Sequence, residues 1–130
     1  MYMLDTNTCI FAMKQRGKVH RRLLRHEPSE ICISSITYAE LCHDVEKSER
    51  QEQNRLALLL FLSEITILPY DAKAAEEYGK IRASLELSET PIGPMDMLIA
   101  SHAKAAGASV VTNNLKEFRR ILALQVEDWM

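Results

Sequence analysis

Apolar residues fall in short blocks along the chain, and their period changes from block to block. Met1-Tyr2-Met3-Leu4 runs straight into Asp5-Thr6-Asn7, which fits a strand buried on both faces and stopped by turn-type residues. Thr6 and Asn7 are placed to cap a helix over residues 7–14, with Cys9, Ile10, Phe11, Ala12 and Met13 as its apolar face. Gly17 breaks that helix, and residues 18–26 form a second, basic one with Val19, Leu23 and Leu24 inward. After Pro28-Ser29, residues 30–34 (EICIS) read as a second strand, and Ser34-Ser35 opens a helix to about Lys47. Ser48 restarts a helix whose segment 56–62 (LALLLFL) is apolar on every side. Such a helix must be buried on more than one side. In so small a chain that implies a partner surface as well as a core.

Residues 66–68 are a short third strand, stopped by Pro69. Asp71 caps a helix with Ala74, Tyr78, Ile81 and Leu85 at helical spacing. A polar loop over 86–92 leads to Gly93-Pro94, where proline suits a first helical turn because its missing N–H costs nothing there. That helix runs over 95–106 and ends at Gly107. Residues 109–112 (SVVT) are a fourth strand, Asn113-Asn114 a loop, 117–122 a helical turn, and 125–129 a last edge strand. Strands alternating with helices predict an α/β fold: one domain over 1–130 with a central parallel sheet of four to five strands, covered on both faces.

Composition narrows the field. No apolar run is long enough to span a bilayer, and no basic region followed by a long apolar core opens the chain. Cys9, Cys32 and Cys42 are an odd set without a C-x-x-C pair, which argues against a disulfide framework or a zinc site and for the reducing cytoplasm. The net charge of −2 gives no general pull towards nucleic acid. Its distribution is uneven, however. Lys14, Arg16, Lys18, Arg21, Arg22 and Arg25 cluster with no acid among them, and Lys116, Arg119 and Arg120 form a smaller group. Such patches can hold a phosphate backbone; the bland alternative is a solvated helix face.

Three acids stand among apolar neighbours: Leu4-Asp5, Ala39-Glu40-Leu41 and Met95-Asp96-Met97. Each has a structural explanation. Asp5 can cap a helix, Thr37-Tyr38-Ala39-Glu40 is a capping-box pattern, and Asp96 in a first turn suits the helix dipole. Together they also suit a shared cation, since carboxylates cannot stay ionised side by side without a counter-charge. Mg²⁺ or Mn²⁺ fits such oxygen ligands, and the implied chemistry is phosphodiester hydrolysis. His20, His26, His43 and His102 have no partner spacing that marks them, and Met95 and Met97 read as packing. No phosphate-binding glycine loop or nucleophile elbow is present. An aspartyl-nucleophile phosphatase would need a second acid at Asn7.

Four blocks in this order resemble VapC-type toxins of the PIN-domain ribonuclease family, from bacterial type II toxin–antitoxin modules. They are Met3-Leu4-Asp5-Thr6-Asn7, Ser34-Ser35-Ile36-Thr37-Tyr38-Ala39-Glu40-Leu41, Ile92-Gly93-Pro94-Met95-Asp96-Met97-Leu98-Ile99-Ala100, and Val111-Thr112-Asn113-Asn114 followed by Glu117-Phe118. The resemblance implies an α/β/α sandwich in which Asp5, Glu40 and Asp96 bind Mg²⁺ or Mn²⁺, supported by Thr6 and Thr112. A fourth acid is common just after the fourth strand; here Asn114 stands there, with Glu117 one turn on, so one firmly bound ion is expected and a second only with substrate. It also implies a VapB-like antitoxin, a homodimer, operator DNA bound through the antitoxin, and structured RNA as substrate, with initiator tRNA in its anticodon region the first expectation. Residues 14–25 would hold the RNA backbone and Lys116, Arg119 and Arg120 would assist. The helix segment 56–62 and the face Tyr38, Leu41, Cys42, Val45 are expected at the protein contacts. The competing reading is a non-catalytic, antitoxin-binding module with a degenerate metal site.

Overall fold

The computed structural model describes residues 1–130. Its elements in order are β1 Tyr2–Leu4, α1 Thr6–Met13, α2 Val19–Leu23, β2 Ile31–Ser34, α3 Ser35–Lys47, α4 Gln51–Leu62, β3 Thr66–Leu68, α5 Ala72–Leu87, α6 Pro94–Ala106, β4 Ser109–Val111, α7 Leu115–Phe118 and β5 Val126–Glu127. The five strands form one sheet in the order β3-β2-β1-β4-β5. Every pairing is parallel, with Tyr2 opposite both Ile31 and Ser109.

Alternation along each strand divides the core into two layers. Met3, Cys32 and Val110 face α5, α6 and α7, where they pack with Ile81, Leu85, Ile99, Ala103 and Phe118. Leu4, Ile31, Ile33 and Val111 face the other way, onto Cys9, Val19, Leu41, Val45, Leu58 and Trp129. Residues in a strand point alternately to opposite faces, so a strand covered on both sides is apolar throughout. The chain thus folds as the helix–sheet–helix sandwich expected from its pattern. No helix is long and apolar enough to cross a membrane.

The strand order reverses around β1, which has β2 on one side and β4 on the other. Open parallel sheets bind ligands at such a switch point, beyond the carboxyl ends of the strands. Asp5 is the first residue past β1 there, and Thr112 the first past β4.

Several local expectations change. Asp5 itself, not Thr6 or Asn7, caps α1: its Oδ1 accepts from the Thr8 N–H at 2.9 Å. Ser34 caps α3 by accepting from the Ile36 N–H at 3.0 Å, so that helix starts too early for a capping box at Thr37. Leu24 is exposed rather than inward, because α2 ends at Leu23. The helical turn after β4 is Leu115–Phe118, earlier than expected. Leu41 and Val45 are core residues against Leu58 and Leu62, not an outer face. On α4, Leu58 and Leu62 are buried but Leu56, Leu59 and Leu60 lie open to solvent. That helix therefore contributes only one of its apolar sides to this chain's core.

Candidate active site

Three elements bring the acids to one cleft of about 430 Å³ at the switch point. Asp5, Thr6, Asn7 and Ile10 come from the end of β1 and the start of α1. Ala39, Glu40, His43 and Asp44 come from α3, and Met95 and Asp96 from the first turn of α6. Gly93 and Pro94 set the start of α6 and so direct Asp96 into the cleft mouth.

Asp5 is buried, Glu40 and Asp96 half-buried. The Thr6 hydroxyl donates to Glu40 at 2.5 Å, tying α1 to α3. The Asn114 amide donates to Asp96 at 3.2 Å and also to Glu117. Thr112 accepts from the Asn114 N–H at 2.9 Å, which fixes the loop after β4.

These carboxylates form no ion pairs, and Arg120 reaches only Glu117, at longer range. No lysine or arginine lies within 4.0 Å of Asp5, Glu40, Asp96 or Glu117. Burial raises the Asp5 pKa, and the charge of Asp128 adds to this, against hydrogen bonds to Thr112 and Thr8. Burial likewise lifts Asp96 from 3.8 to about 7, reinforced by the hydrogen bond and charge of Glu117 and the charge of Asp5. Glu117 moves the opposite way, lowered by its hydrogen bond to Asp96 and by the Asn114 amide. The two carboxyls bear on each other directly and titrate as a pair.

The donor set therefore suits a hard divalent cation, whose charge would favour the ionised carboxylates. The fit is to a hydrated ion. No three of the His, Cys, Asp and Glu side chains converge tightly enough to enclose a metal by themselves. The three acids expected at the metal all line one opening, where Asp96 bonds Asn114 and lies against Glu117, while Glu40 is held by Thr6. Mg²⁺ usually keeps several waters and needs only one or two carboxylates.

Of the basic cluster, Lys14, Arg16, Lys18, Arg21 and Arg25 are exposed. Arg22 is committed elsewhere. It lies 5.5 Å from the centroid of the Trp129 ring, 3.6 Å from Glu127, and donates to the Asp128 carbonyl at 3.5 Å. Lys116 and Arg119 are exposed, whereas Arg120 donates to the Pro91 carbonyl at 2.6 Å. The sequence reading passed over His43 and Met95 as cleft residues. For His43 a signal existed, since it follows Glu40 by three positions and shares its helix face. Met95 was read as packing, yet it is 47% exposed at the cleft mouth.

A site of clustered acids at this switch point, in this sheet order, defines a class. The model of the PIN domain matches residues 2–123, and the chain belongs to that family. Within it, the chain is of the VapC type. It is 47% identical over 128 residues to the tRNA(fMet)-specific endonuclease VapC of Salmonella typhimurium, covering 98% of this chain and 97% of that one. It is also similar to the VapBC2 structure from Rickettsia felis bound to a promoter DNA fragment, with a TM-score of 0.93, 43% identity and coverage of 99% and 98%. DNA-bound VapBC from Salmonella typhimurium gives a TM-score of 0.93 at 46% identity, with coverage of 99% and 98%.

Proposed function

We propose that this chain is a divalent-metal-dependent endoribonuclease toxin acting in the cytoplasm, with tRNA as its substrate and the anticodon region of initiator tRNA as the first target to test. The observation that carries this reading is the cleft itself: Asp5, Glu40 and Asp96 line one opening with no cationic side chain to neutralise them. The name of the Salmonella typhimurium relative supports the choice of tRNA.

Asp5, Glu40 and Asp96 would hold Mg²⁺ or Mn²⁺, with Glu117 available to a second ion. When bound, the metal lowers the pKa of a water, orients the phosphate and stabilises the leaving oxygen. The remaining groups position. Thr6 holds the Glu40 carboxylate, Thr112 fixes the loop that carries Asn114, and the Asn114 amide holds Asp96 against Glu117. Exposed Lys14, Arg16, Lys18, Arg21 and Arg25 would engage the RNA backbone, since phosphate contacts dominate affinity.

A VapB-like antitoxin is the proposed partner, with operator DNA bound through it. A groove of about 360 Å³ between α1, α3 and α4 shares Ile10 and Asp44 with the acidic cleft. An apolar antitoxin segment lying in it could deliver a basic side chain to the acids. Exposed Leu56, Leu59 and Leu60 on α4 suit either this contact or a homodimer; covering each would contribute about 1.5–3 kcal/mol.

The test is cleavage of total tRNA by purified protein with Mg²⁺. Discrete products are expected, and none in EDTA or with Asp96→Asn. Cutting that persists in both conditions would reject the metal-dependent site.

A further inference from the structure

The acids account for one part of the cleft and leave its apolar wall unexplained. Ile10, Ala39 and Met95 line the same opening as the carboxylates. Met95 directly precedes Asp96 and is 47% exposed, although α6 has an ordinary buried face in Ile99, Ala100 and Ala103. His43 enters from α3, one helical turn beyond Glu40. It is exposed, and the side-chain bonds of histidine in this chain belong to His26 and His102 instead. Two unpartnered, polarisable side chains from separate elements thus flank the acids, each next to a carboxylate in its own helix.

A phosphodiester held at the acids brings its neighbouring nucleobase to these walls. Carboxylates offer nothing to the flat face of a base. A thioether and an imidazole do: methionine sulfur packs favourably on aromatic rings, and histidine is among the side chains on which unpaired RNA bases stack.

We propose that Met95 and His43 form a base-stacking clamp for the nucleotide beside the scissile phosphate. The inference rests on the endoribonuclease reading and names the side chains that hold the substrate's base at that site.

The experiment measures cleavage of a stem-loop RNA in Mn²⁺. It uses wild type, Met95→Ala, His43→Ala and His43→Phe, and calorimetry follows Mn²⁺ binding to each protein. Both side chains are exposed, so the variants should fold. Each alanine variant is expected to raise KM on the stem-loop about tenfold, within the range for losing one base-stacking contact. The loss should fall on KM rather than kcat, and Mn²⁺ affinity should hold. His43→Phe should keep the wild-type KM, because phenylalanine stacks but carries no proton or charge. Wild-type KM in both alanine variants would overturn the clamp while leaving the nuclease reading standing. A His43→Phe variant as weak as His43→Ala would overturn stacking at that position. No cleavage by wild type would instead overturn the endoribonuclease reading, and the clamp with it.

Discussion

Helix α6 carries two embedded polar groups with opposite settings. Near its start, burial and the neighbouring carboxylates of Glu117 and Asp5 raise the Asp96 pKa, and no lysine or arginine pairs with it. Further along, His102 is buried and fully accommodated: its Nδ1 meets the Ser34 hydroxyl at 2.7 Å, and Tyr70 packs edge-on at 5.3 Å. Tyr70 in turn bonds Ser101 at 2.8 Å. The second cluster is held by hydrogen bonds, and burial lowers the His102 pKa against the charge of Asp71. The first is charged and incomplete. Polarity inside a fold is thus no sign of function by itself; what sets the first cluster apart is gathered carboxylates without an ion pair.

The two clusters should give opposite pH responses in the metal-free protein. Asp96 binds its proton more tightly folded than unfolded, so its contribution to stability falls as pH rises from 3.8 towards about 7. His102 binds its proton less tightly folded than unfolded, so stability falls as pH drops below 6.5.

The largest difference should appear in activity. Asp5→Asn is expected to reduce RNA cleavage more than about a hundredfold, beyond what loss of an outer-shell partner costs. His102→Ala should leave the cleavage rate per folded molecule intact. Equal losses in the two variants would erase the distinction. Next comes stability. His102→Ala removes the buried bond to Ser34, whose hydroxyl keeps only the Ile36 N–H, and this costs about 1–3 kcal/mol, or about 5–10 °C in Tm. Asp96→Asn should act in reverse, raising the metal-free Tm by about 3–5 °C at pH 8 and by little at pH 5. Added Mg²⁺ should likewise stabilise wild type more at pH 8 than at pH 6, as scanning fluorimetry would record. A metal-free Tm for Asp96→Asn below wild type at pH 8 would show that the acidic cluster is structural. The smallest change in the isolated chain belongs to Leu59→Glu on the open side of α4, within about 0.5 kcal/mol of wild type. Its effect should appear instead as weaker dimer or antitoxin association on sizing.

Much of this arrangement was legible in short stretches. Leu4-Asp5 declared the end of a strand, Gly93-Pro94 the start of a helix, and the alternation of elements the parallel sheet. These are local signals, set by turn chemistry and periodicity. The gathering of Asp5, Glu40 and Asp96 was legible only through the resemblance of whole blocks, because periodicity names a face and not its neighbour. The same limit hid Arg22, which reads as one more cation of a basic run. It is drawn out of that run by Trp129, an aromatic sandwiched against His26 with rings 4.9 Å apart. The two sides of α4 were legible as a need for cover beyond the core, but not which leucines lie on which: Leu58 and Leu62 are buried, and Leu56, Leu59 and Leu60 are open.

Asp5 has a consequence for how inactive forms should be made. One of its oxygens anchors the first turn of α1, while the carboxylate as a whole faces the cleft. Alanine there would unfasten a helix and empty the site together, so a silent variant would say nothing about chemistry. Asparagine keeps the anchoring oxygen and discards the charge, which makes it the replacement for isolating an intact but harmless toxin.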